Sequence, residues 1–107
     1  MAISEVSVEE LEHALARGAR LIDVREPDEY ADGHVPGAVL IALGTVADRI
    51  DVFRGDGPTY VICRSGARSM KACELVHDTG IDVANVAGGT LAWITTGRAV
   101  VSGADPA

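Results

Sequence analysis

The chain has 107 residues, 48% of them apolar, which is enough for one continuous core and too little for two domains. A net charge of −7 leaves no broad basic face, so neither nucleic acid nor an anionic membrane is expected as a main partner. Its two cysteines, ten positions apart, form no Cys-x-x-Cys pair and lie in no His/Cys cluster, so reduced thiols are expected, with no metal and no organic cofactor.

The stretch from Met1 to Glu5 has an early acid, no basic region and no long apolar run. It reads as neither a secretory signal nor a membrane span, and a cytoplasmic protein is expected. Ser7-Val8-Glu9-Glu10 fits a capping box, with Val6 and Leu11 at staple positions, which predicts a helix from Val8 to the stop at Gly18. Leu21-Ile22-Asp23-Val24 predicts a buried strand with a carboxylate at its tip. Pro27 suits the first turn of a brief helix through Tyr30, and a loop from Gly33 to Gly37 leads to a strand over Ala38 to Ile41. Thr45 is read as opening a helix with Val46, Ile50 and Phe53 on its apolar side, ended by Gly55-Asp56-Gly57-Pro58. A strand over Thr59 to Ile62 runs directly into Cys63. Ser69 is read as the start of the next helix, with Ala72, Cys73 and Val76 facing inward and an end near Gly80. Val83 to Val86 predicts another strand, and Gly88-Gly89-Thr90 turns the chain into a last helix with Leu91 and Trp93, stopped by Gly97. The domain is taken as 1–107, with an Ala/Gly/Ser-rich tail from about residue 99 expected to fray.

Strands alternating with helices at this spacing imply an α/β domain with a mainly parallel sheet covered by helices on both faces. Ligands of such folds sit at the carboxyl ends of the strands, where Asp23 and Cys63 both fall. Among the basic residues, Arg64, Arg68 and Lys71 crowd the stretch between Cys63 and Cys73, a local hint of an anion site in an acidic chain.

Cys63-Arg64-Ser65-Gly66-Ala67-Arg68-Ser69 lies between a buried strand and a helix, so its successive amides can curl around the sulfur as an anion-binding nest, with Gly66 permitting the curvature. A free thiol has a pKa of about 8.5, and a helix start with nearby arginines lowers it, making the nucleophilic thiolate dominant at neutral pH. A core cysteine at a strand end would need none of this apparatus. Cys73, on the apolar stripe of a helix, is read instead as packing.

Three segments together resemble the rhodanese-like sulfurtransferases over nearly the whole chain. They are Asp23-Val24-Arg25-Glu26-Pro27-Asp28-Glu29-Tyr30 followed by Gly33-His34-Val35-Pro36-Gly37-Ala38, the loop from Cys63 to Arg68, and Val86-Ala87-Gly88-Gly89-Thr90-Leu91-Ala92-Trp93. The resemblance implies a single rhodanese-like domain with a five-stranded, mainly parallel sheet. It also implies a persulfide carried on Cys63 in the cradle of Arg64, Ser65, Gly66, Ala67 and Arg68. The six-residue loop looks like the sulfurtransferase form, whereas phosphatase and arsenate-reductase relatives use seven residues. A terminal sulfur is smaller than a tetrahedral oxyanion, so a shorter cradle suits it. A Cys-x5-Arg loop would also need arginine where Ser69 stands.

Arg64 and Arg68 are candidates for drawing in an anionic donor, against the simpler reading that Arg64 is solvated and Arg68 pairs with an acid. Asp23 and Arg25 are supporting residues that fix local hydrogen bonds, with Arg25 read as pairing with Glu26 and His34 as holding its turn. His13 and His77 lack partner ligands, and Trp93 is read as core. The expected cycle moves sulfane sulfur from thiosulfate or a similar small anion to cyanide, a thiol or a protein cysteine, in a monomer or weak dimer. The alternatives are a non-enzymatic persulfide-relay or protein-interaction module and, disfavoured by loop length, a phosphatase or arsenate reductase.

Overall fold

The computed structural model describes residues 3–107. Its strands are β1 (Ser4–Val6), β2 (Arg20–Asp23), β3 (Val39–Leu40), β4 (Thr59–Ile62) and β5 (Val83–Val86), in the spatial order β1-β5-β4-β2-β3. Every neighbouring pair is parallel. Helices α1 (Val8–Ala16), α2 (Pro27–Asp32) and α3 (Ala67–His77) connect strands, and α4 (Gly89–Thr95) follows β5.

The alternation of each strand divides the core in two. Ile22, Val61, Cys63 and Val83 pack with Val46, Phe53, Ala72, Cys73 and Val76 on the α3 side of the sheet. Leu21, Ile62 and Val86 pack with Leu11, Tyr30 and Trp93 on the side of α1, α2 and α4. Helices therefore cover both faces, as the alternating elements predict. The capping box at Ser7 forms as expected, with Ser7 Oγ accepting from Glu10 N–H at 3.1 Å and Glu10 accepting from Ser7 N–H at 3.0 Å. No helix among the described residues is long and apolar enough to cross a membrane.

Several expectations change. The tail from about residue 99, read as fraying, is docked: Val101 and His34 exchange backbone hydrogen bonds at 2.9 Å and Gly103 N–H donates to Ala31 O at 2.9 Å. The helix read from Thr45 onward is two 3-10 turns, Leu43–Asp48 and Ile50–Phe53, separated at Arg49. Thr45 does not cap a helix there; its Oγ1 bonds back to the Ala42 carbonyl, so the apolar spacing of Val46, Ile50 and Phe53 is met by two short segments. Helix α3 begins at Ala67, two residues before Ser69, because Gly66 at φ +115° already turns the chain into it. The strand Ser4–Val6 escapes the sequence reading, since its residues are exposed or half-buried and show no apolar run.

The order of the strands fixes the site. From β2 the chain continues to β3 on one side of the sheet, and from β4 to β5 on the other. The strand order therefore reverses between β2 and β4, and Asp23 and Cys63 lie at the carboxyl ends of these two strands, where ligands of such folds sit.

Candidate active site

Cys63 follows β4 directly and continues its alternation, so its side chain lies on the α3 face beneath the start of that helix. Gly66, in the left-handed region, points its N–H at Cys63 Sγ from 3.0 Å. Ser69 sits in the first turn of α3, where side chains lean toward the helix start, and its Oγ lies 3.3 Å from the same sulfur. Cys63 is 1% exposed, at the bottom of a closed cradle. Burial pushes its thiol up. The Ser69 hydroxyl and the amides of Ser69, Gly66 and Ser65 outweigh that and hold it below the ordinary thiol value.

The outer wall of the loop is tied to α4. Cys63 O accepts from Thr90 N–H at 2.9 Å and from Thr90 Oγ1 at 3.0 Å, and Arg64 O accepts from Leu91 N–H at 3.0 Å. In a trans peptide N–H and C=O point in opposite directions, so carbonyls drawn toward α4 turn the following amides away from it. Gly89 makes this approach possible: a Cβ there would lie 2.5 Å from the carbonyl oxygens of both Cys63 and Arg64. On the α3 side, Gly66 O accepts from Asn85 Nδ2 at 3.2 Å, and Asn85 Nδ2 also donates to Glu5 Oε2 at 3.1 Å.

Of the two arginines weighed for an anionic donor, Arg68 meets the simpler reading of pairing with an acid. Arg68 forms a bidentate pair with Glu29, at 2.7 and 2.8 Å, and so ties α3 to α2. Arg64 is exposed and makes no ion pair among the described residues. The thiol's pKa falls chiefly through the Ser69 hydroxyl and the amides at the start of α3, as the helix-start reading expects, and Arg68, charge-coupled to Cys63, adds less. Ser65 and Ala67 are exposed, with Ser65 contributing its amide.

Asp23 and Arg25 find each other. Asp23 pairs in register with Ile62, not Cys63, so its side chain lies on the opposite face of the sheet from the sulfur. Its carboxylate accepts from Arg25 N, Nε and Nη2 at 2.8 to 3.1 Å, and Arg25 Nη2 also donates to Gly33 O at 2.9 Å. This replaces the expected Arg25–Glu26 pair, since the guanidinium is buried beside Asp23 while Glu26 is exposed at the start of α2. His34 is buried, stacked on Tyr30, and bonded through its ring to the carbonyls of Tyr30 and Pro106, as a turn-holding residue should be. Cys73 is fully buried, and burial pushes its thiol up to about 12, so it stays protonated at neutral pH and packs rather than reacts.

Sequence reasoning missed Ser69, Glu29, Asn85 and the clamp at Thr90. Ser69 had a signal: a hydroxyl in the first turn of a helix leans over the loop that precedes it. Glu29 had none, being 39 residues from its partner.

A rhodanese-like domain family model matches residues 7–96. The protein YtwF of Bacillus subtilis is 38% identical over 95 residues, covering 87% of this chain and 92% of that protein. A sulfurtransferase of Allochromatium vinosum is 33% identical over 103 residues, covering 94% and 96%. The crystal structure of a rhodanese-like domain protein from Staphylococcus aureus superposes with a TM-score of 0.79 at 34% identity, covering 85% of this chain and 91% of that one. Sulfurtransferase-type function is supported by the matched domain together with a relative so named. A match across most of its length, with the same five-stranded parallel architecture, makes this chain a member of the rhodanese-like domain family.

Proposed function

We propose that the protein is a sulfurtransferase that carries sulfane sulfur as a persulfide on Cys63. The observation that carries this reading is the cradle itself, with a buried sulfur facing Gly66 N–H at 3.0 Å and Ser69 Oγ at 3.3 Å. In the first half-reaction the Cys63 thiolate attacks the outer sulfur of thiosulfate or a similar small anion. A new S–S bond forms, the donor's S–S bond breaks, and sulfite leaves with the bonding electrons. In the second, a thiolate or cyanide attacks the outer sulfur and Cys63 leaves again as thiolate. Inward-facing amides stabilise negative charge in both states without reorganising.

The near-complete burial of Cys63 requires the donor to present a narrow terminal atom to the sulfur. Arg64, exposed beside the loop, supplies the local positive charge that an anionic donor needs on an otherwise acidic protein. A cellular thiol or a protein cysteine is the acceptor proposed, and the six-residue cradle leaves phosphate and arsenate chemistry without room.

Intact-mass measurement after thiosulfate treatment tests the reading. The protein should gain the mass of one sulfur, lose it on addition of cyanide, and gain nothing when Cys63 is replaced by serine. A Cys63→Ser variant that still transfers sulfur, or a native chain that takes none up, refutes it.

A further inference from the structure

The Ser69 hydroxyl has one proton and two acceptors. Cys63 Sγ lies 3.3 Å from its oxygen and Gly66 O lies 3.2 Å away. The Gly66 carbonyl does not depend on it, because Met70 N–H and Asn85 Nδ2 each already donate to that oxygen at 3.2 Å. Ser69 is 0% exposed, so bulk water does not compete for either position. The hydroxyl is therefore free to follow the charge on the sulfur.

That charge changes through the proposed cycle. Before loading and after discharge, Sγ is an anion and a good acceptor. In the persulfide it is bonded to Cβ and to the outer sulfur, and the negative charge has moved outward. A donor fixed beside Sγ favours the thiolate over the bridging form.

We infer that Ser69 is the hydrogen-bond donor to the leaving sulfur, its hydroxyl turning from Gly66 O to Cys63 Sγ as the persulfide is discharged, so that it favours sulfur release over uptake. This rests on the persulfide reading above. In the step concerned, the acceptor's electron pair forms a bond to the outer sulfur and the Sγ–S bond breaks. Both electrons of that bond go to Sγ, and the proton stays on the serine oxygen. Uptake should respond in the opposite sense. Removing the donor makes the thiolate more basic, and thiolate nucleophilicity rises with basicity with a slope of about 0.4–0.5.

The test separates the two half-reactions by rapid mixing, with thiosulfate loading and cyanide discharge followed by intact mass. Both are run at a pH where alkylation of Cys63 has levelled off in every variant. Ser69→Ala should load at least as fast as the native protein and discharge about 10-fold more slowly. Ser69→Thr and Ser69→Val, alike in shape, provide the second comparison: threonine should discharge like serine, and valine like alanine. Discharge at the native rate without the hydroxyl, or an equal loss in both half-reactions, overturns the assignment. Native protein that never gains sulfur would sink the persulfide reading instead.

Discussion

Glu29 shows how one side chain can hold two elements in place. Its carboxylate accepts both arms of the Arg68 guanidinium and the N–H of Glu26, and the bond to Arg68 is the main reason its pKa falls to about 2. Because the folded value lies below the unfolded one, the unfolded chain binds more protons in between, and stability rises with pH across that window. The contribution is complete above about 4.5 and is lost as the pH falls toward about 2. The pair is partly solvated, with side chains 35% and 29% exposed, so screening limits its worth to about 0.5–1 kcal/mol. Glu29→Gln should therefore lower the unfolding free energy read from urea titration at neutral pH by that amount. The gap to the native protein should narrow as the pH falls below about 4; a gap independent of pH would mean that packing, not charge, holds Arg68.

At the scale of elements, the start of α4 is what shapes the cradle. Its amides at Thr90 and Leu91 hold the Cys63 and Arg64 carbonyls, and only a residue without Cβ allows that approach. Gly89→Ala would place a methyl group 2.5 Å from two carbonyl oxygens, at a backbone φ of +59° that also disfavours any side chain. The loop must move, so the amides lose their aim at the sulfur. Stability should fall by about 1–3 kcal/mol. Sulfur uptake should fall at least about 10-fold even where the variant is fully folded, as measured by intact mass after a fixed exposure to thiosulfate. Native uptake would show that the loop keeps its shape without α4. The legibility of the elements follows from how local their causes are. Strands β4 and β5 were readable to the residue because each is a short run bounded by turns, and the cradle was readable because Cys63, Gly66 and the helix start are contiguous. Strand β1 is an edge strand with little apolar pattern, and it is held by its pairing with Val83–Val86, some 80 residues away. The pairing of Arg68 was hidden for the same reason: a sequence shows a charge, and only the fold supplies its partner.

The whole molecule is closed by its last residues. Val101 and His34 exchange backbone hydrogen bonds at 2.9 Å, Gly103 N–H donates to Ala31 O at 2.9 Å, and Gly37 N–H donates to Pro106 O at 2.8 Å. Ala99 O takes the indole N–H of Trp93 at 2.8 Å, and Pro106 O receives the His34 ring at 3.2 Å. This strap lies over the segment that runs from α2 to β3, where Gly33 O also receives Arg25. It thereby covers His34 and the edge of the core formed by Tyr30, Val35 and Trp93. None of the groups that hold the Cys63 sulfur or the loop carbonyls belongs to it. Stability and chemistry should therefore separate on truncation. A chain ending at Arg98 leaves several donors and acceptors without partners, at about 1 kcal/mol each where water cannot fully replace them. Its melting temperature should drop by several degrees, roughly 4–8 °C per kcal/mol for a domain of this size. Below that temperature its sulfur uptake on Cys63 should match the full chain's. An unchanged melting temperature would show that the strap is not docked in solution, and a loss of uptake in the folded truncation would show that the tail supports the cradle through Val100 and Gly33, which meet beside Arg64.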